Sequence, residues 1–174
     1  MAAMIQTLIE LFGQAQHSVT HLEMRDTYGT GEPDFQAWLA GSAVEQLEAL
    51  GNMDSWVKLI SSNVSRGVVF RRARVVSEPH SDYIAFEHAV TGYSNIAGGE
   101  LVRWLSRPKA RDLALPGCDF WQIDDGKICW VFQTGDGEPA GFELSDDPAE
   151  AKLCAAAFEA VWERGIDHAE YKPA

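Results

Sequence analysis

The run at 67–77, GVVFRRARVVS, sets the first constraint on the fold. Its β-branched residues favour extended backbone, and its length suits a single strand. Pro79 then breaks the chain. Ser81 is placed to cap a helix whose stripe is Tyr83, Phe86, Val90 and Tyr93, closing near Gly98 and Gly99. LVRWLS at 101–106 reads as a second strand. Strand, helix and strand in this order predict a crossover joining two parallel strands, so the fold class is α/β.

The rest of the chain fits around that unit. Asp125-Gly126 between CDFWQID and KICWVFQ predicts a hairpin. GDGEP makes another turn, and AGFELS is a further short strand. Asp147, Pro148 and Glu150 open a last helix through a capping box, and Gly165 ends it. Upstream, Ile5, Leu8, Ile9 and Phe12 predict an amphipathic helix over 4–16. Residues 17–28 fit helix or strand, and Thr27–Pro33 is a loop. Residues 34–66 read as two or three helices. The expected organisation is one domain, 1–174, with 1–66 mainly helical and 67–174 α/β. Trp38 and Trp56 fall outside the predicted sheet, which suits them to the interface of a homodimer.

Charge narrows the partners. The net charge is −12 and the sequence pI about 4.7, a field that opposes direct contact with nucleic acid or anionic membranes. No apolar run approaches the roughly 18 residues of a membrane helix. Half of the 14 basic residues lie in 67–117, where an anionic ligand is best accommodated. Cys118, Cys129 and Cys154 have no zinc-ligand spacing, and the first residues lack a basic signal region. A cytoplasmic chain with reduced thiols is expected. His17 and His21 are four apart but lack a third ligand, so neither a metal nor a cofactor is expected.

Arg71, Arg72 and Arg74 sit on the first strand and Arg103 on the second, so that Arg71 or Arg74 can bring its guanidinium fork close to that of Arg103. Such forks suit a phosphate or carboxylate. They can equally pair with Glu78, Glu87, Glu100 or Asp119 inside the fold. Ser77 and Glu78 follow the first strand, where ligand sites of α/β sheets often lie. The expected site joins Arg71, Arg74, Ser77, Glu78, Tyr83, Arg103, Asp119 and Trp121. Arg groups would hold the anion, the aromatics would wall it, and Glu78 and Asp119 would orient the forks. An enzyme using Glu78, His80 and Asp119 as acid–base groups is the rival reading. No P-loop, nucleophile elbow or GxGxxG is present.

The string RARVVSEPHSDYIAFEHAVTGYSNIAGGELVRWLSR, with LPGCDFWQIDD and DDPAEAKLCAAAFEAVWERG, resembles an actinobacterial family of unknown function. Its members read approximately RVRVVSEPxSDYxRFE, AGExIRWLPR and LPxxDFWLFD, and HLEMRDTY resembles their LExRDxY. Ile84-Ala85 departs from the Arg that members carry after the Tyr. Genes of that family are often found beside Xre-type helix-turn-helix regulators. The resemblance implies a non-enzymatic regulatory module binding a protein partner, such as that regulator, or a small anionic ligand. More distantly, the element order resembles one phospholipase D-like half-domain, with a mixed sheet flanked by N-terminal helices. Such halves usually pair, which also implies a homodimer. Their chemistry needs H-x-K-x-x-x-x-D, with His attacking phosphorus and Lys neutralising phosphate oxygens. Cys118, Phe120 and Asp125 stand in the corresponding stretch, so phosphodiesterase activity is expected to be absent.

Overall fold

The computed structural model describes residues 2–29 and 31–173. Thr30, within the expected 27–33 loop, lies outside them. Seven strands form one mixed sheet in the order β6-β5-β4-β1-β2-β3-β7. They are β1 Ser18–Glu23, β2 Val69–Val76, β3 Leu101–Ser106, β4 Asp119–Ile123, β5 Lys127–Gln133, β6 Pro139–Ser145 and β7 Ile166–Asp167. The helices are α1 Ala2–Gln14, α2 Pro33–Leu39, α3 Val44–Ala49, α4 Asp54–Val64, α5 Asp82–Ser94 and α6 Pro148–Arg164.

The expected crossover is present. β2 and β3 run parallel in the register Arg71↔Leu101 to Val76↔Ser106, with α5 between them. Ser81 caps α5 by accepting a bond from the Ile84 amide at 3.2 Å. The return from α5 needs two glycines. Gly98 packs so closely on α4 that a Cβ there would lie 2.9 Å from the Ile60 side chain, and Gly99 has φ +94°. The hairpin β4–β5 and the antiparallel strand β6 also form as expected.

β1 resolves the ambiguous segment 17–28. It is a strand at the centre of the sheet, parallel to β2 and antiparallel to β4. Asp124 fixes its entry, its carboxylate accepting from the amides of Gln16, His17 and Ser18 at 2.7–2.9 Å. β7, absent from the sequence reading, closes the far edge against β3. The expected capping box at α6 is corrected. Asp147 caps through the Ala149 amide, but Glu150 turns away and accepts from Trp130 Nε1 at 2.7 Å.

Strand side chains alternate between two cores. One face carries Val19, Phe70, Trp121 and Val131 under α1 and α4. The other carries Leu22, Ala73, Val75, Leu105 and Phe120 under Cys154, Ala157, Phe158 and Val161 of α6. Trp56 meets Phe12 and Trp121, and Trp38 meets Phe86, so both pack against their own chain. No helix among the described residues is long and apolar enough to cross a membrane.

Candidate functional site

A period of two decides where each arginine of β2 goes. Arg72 and Arg74 point to the α5 side, and Arg71 points to α6. On the α5 side the strands present His21 and Glu23 from β1 and Asp119 and Trp121 from β4, beside Arg72 and Arg74. These groups floor a cavity of about 500 Å³. Its walls include Leu8 of α1, Trp56 of α4, Tyr83 and Phe86 of α5, and Phe142 of β6.

The floor is a closed ion-pair network. Glu23 bridges both arginines, accepting from Arg72 Nη1 and from Arg74 Nε, the latter at 2.5 Å. Arg72 Nε donates to Glu100 at 2.9 Å, and Asn95 holds the second Glu100 oxygen at 2.6 Å. Arg74 also donates to Thr91 Oγ1 at 2.7 Å and pairs with Glu87. Arg72, Arg74, Glu23 and Glu100 are buried. Burial opposes ionisation of Glu23, but the two guanidinium groups outweigh it and hold its carboxyl well below the usual range. Trp104 stacks under Arg74, its ring centroid 4.8 Å from the guanidinium carbon.

His21 extends the network. Its Nδ1 lies 2.7 Å from the Phe120 carbonyl and its Nε2 3.2 Å from a Glu23 oxygen. Both neighbours are acceptors, so only the imidazolium makes both bonds together. Its ring stacks on Trp121 at 3.8 Å, nearly parallel. Asp119 accepts from the Tyr28 hydroxyl at 2.7 Å and the Met24 amide at 2.9 Å. Burial still pushes its carboxyl upward.

The eight expected site residues therefore divide. Arg74, Tyr83, Asp119 and Trp121 line the cavity. Arg71 and Arg103 lie across the sheet, and their shared site with Arg74 is corrected. Arg71 pairs with Glu159 at 2.7 Å, and Arg103 with Asp167 at 2.6 Å. Both stack on Trp162. Ser77 and Glu78 belong to the turn after β2. Ser77 donates from its amide and its hydroxyl to Asp26, both at 2.7 Å. Glu78 accepts from Ser106 at 2.7 Å and Tyr171 at 2.8 Å. Tyr171 spends its proton on Glu78 and so accepts from His80 Nε2 at 2.8 Å. Glu78 and His80 do not line the cavity that holds Asp119, which separates the three groups of the rival acid–base set. Tyr28, His21, Glu23 and Arg72 were not among the expected site residues. The alternation rule would have grouped Arg72 with Arg74 from sequence alone.

A family model, "Domain of unknown function (DUF6879)", matches residues 6–173. The chain belongs to the DUF6879 family. No curated protein matches it. Among solved structures, this DUF6879 chain is similar to Nuc, a phospholipase D family member from Salmonella typhimurium. That likeness has a TM-score of 0.51 and 14% identity, over 94% of this chain and 89% of that one. NucT from Helicobacter pylori is similar at TM-score 0.52 and 14% identity, over the same shares. TrmBL2, an archaeal chromatin protein, is similar at TM-score 0.50 and 12% identity, over 92% of this chain and 48% of that one. At these identities the likeness shows a phospholipase D-like fold and nothing about activity.

In that fold, the stretch 118–125 enters and turns the β4–β5 hairpin. Phe120 is fully buried among Leu22, Ile128 and α6, on the face opposite the cavity. Cys118 sits half-buried in a second, more polar cleft with Arg25, Arg107 and Gln133. Burial and the neighbouring Asp119 push its thiol upward, away from the thiolate. Burial likewise pushes Cys129 to about 11 and Cys154 to about 12. Among the described residues, no group of three or more His, Cys, Asp or Glu could hold a metal ion.

Proposed function

We propose that this chain is a non-catalytic binding module whose ligand site is the cavity over β1, β2 and β4. One observation carries the reading. Each guanidinium group of the floor is already engaged by carboxylates of the chain itself, beneath a largely apolar cavity of about 500 Å³. A floor so paired supplies shape and field, while the volume is ordinary for a small-molecule site. Cys118 and Phe120 at the phospholipase D-type positions support the absence of phosphodiester chemistry. The resemblance to a family encoded beside helix-turn-helix regulators supports a role as the sensing part of a regulatory assembly.

The expected anion clamp is revised in this reading. Arg71 and Arg103 lie on the other face, and Arg74 is spent on Glu23 and Glu87. The test pairs an activity assay with a binding assay. Purified protein is expected to show no turnover of bis(p-nitrophenyl) phosphate. Apolar molecules of cavity size are expected to quench Trp56 and Trp121 fluorescence. Turnover abolished by Cys118→Ala, or the lack of any quenching ligand, overturns the reading.

A further inference from the structure

Charge around the cavity is unbalanced. Glu23, Glu32, Glu87 and Asp119 line it, against Arg72 and Arg74. Glu100, beneath the floor, takes a further share of Arg72. Glu23, Glu87 and Glu100 are balanced by Arg72, Arg74 and the His21 imidazolium, so the excess lies in Glu32 and in Asp119, which is held by the neutral donors Tyr28 and Met24. Glu32 stands at the rim, half-buried, with no cation paired to it among the described residues. Burial raises its carboxyl, and so does the proximity of Glu87, Asp34 and Glu138. The phenol of Tyr83 is raised by burial and then by Glu87 and Glu32. These groups respond to one negative potential inside the cavity.

The walls match that potential. Tyr83 meets Phe35 and Phe86 edge-to-face while Phe35 and Phe86 are tilted to each other, with ring centroids 5.0–6.0 Å apart. Tyr28 meets Tyr83 at 6.0 Å. Tyr28, Tyr83 and Phe86 line the cavity together with Glu32 and Glu87, and Tyr83 is close enough to both carboxylates to feel their charge. Aromatic faces and carboxylates both attract a weakly hydrated cation, and the aliphatic side chains of Leu8 and Val90 accommodate an apolar body.

Resting on the binding-module reading, we propose that the cavity takes an organic cation: a small molecule with an ammonium head near Glu32 and an apolar body along the α1 and α4 wall. The head relieves the excess negative charge, and the body displaces water from apolar surface. An anion meets the opposite field. Arg72 and Arg74 cannot turn to it without stranding Glu23.

Three probes of matched length separate the possibilities: hexyltrimethylammonium, hexan-1-ol and hexanoate, titrated calorimetrically at low salt. The cation is expected to bind at least about tenfold more tightly than the alcohol, with hexanoate the weakest. Glu32→Gln is expected to cut the cation's affinity several-fold and leave the alcohol's unchanged. Equal or tighter binding of the alcohol or hexanoate overturns the cation inference and leaves the cavity a binding site. Binding by none of the three overturns both. A cation preference undiminished by Glu32→Gln also overturns the proposal, because the head is then not at the rim.

Discussion

Arg71 and Arg72 are adjacent in sequence and live in opposite chemistries. Arg72 sits beneath a cavity, buried between Glu23 and Glu100. Arg71 lies over Phe158 and Trp162 of α6 and reaches the half-exposed Glu159. The same split separates Arg74 from Arg103. One face of the sheet thus carries desolvated charges that must be neutralised by one another. The other carries amphipathic side chains whose stems pack and whose heads stay near water. An arginine's consequence for stability is set by the side of the strand from which it leaves.

Removing a charge from the cavity face has the largest effect. Arg74→Met takes one of the two guanidinium groups from buried Glu23 and leaves Glu87 without its partner, which is expected to cost about 3–5 kcal/mol in urea unfolding. A loss under about 1 kcal/mol would erase the contrast between the faces.

Acid tests the same face next. Burial lowers His168 to about 4, with help from the neighbouring His88 and Arg74, and its Nδ1 accepts from Trp104 Nε1 at 3.2 Å. A histidine depressed on folding stabilises fully above its unfolded value near 6.5, and that stability is lost as pH falls through about 4. Glu23, depressed by Arg72 and Arg74, loses its contribution in the same direction at lower pH. Urea midpoints are expected to fall between pH 6.5 and 4, and His168→Gln, which can keep an acceptor toward Trp104, is expected to flatten that fall. An unchanged slope would remove His168 from the account.

The α6 face gives the smallest effect. Arg71→Ala and Arg103→Ala each lose a stack on Trp162 and a solvent-screened ion pair, expected to cost about 1 kcal/mol. Their separate losses are expected to add approximately only if Trp162 does not couple them, which a double-mutant cycle measures directly.

The β2–α5–β3 crossover was readable because its pattern is local: β-branched runs, a capping serine and a helical stripe. β1 was not, because SVTHLE presents Thr20, His21 and Glu23, residues ordinarily left in water. Only tertiary pairing with Arg72, Arg74 and Asp119's strand makes burying them tolerable. β7 is two residues long and defined by Arg103 and Trp104 opposite it, so no local pattern marks it. Half of the site was named because Arg74, Tyr83, Asp119 and Trp121 lie in conspicuous motifs. The other half was missed where strand parity went unused, placing Arg71 with Arg74 although they stand an odd number of residues apart.

The three thiols occupy three separate places in the molecule. Cys129 lies in the core beneath α1, Cys154 in the core beneath α6, and Cys118 at the polar cleft. The two core thiols are kept protonated and away from solvent, so a soluble alkylating reagent reaches each only when its own layer opens. The chain carries a built-in clock for its two halves. The rate at which Cys129 is modified reports loosening of the N-terminal helices, and that of Cys154 reports detachment of α6.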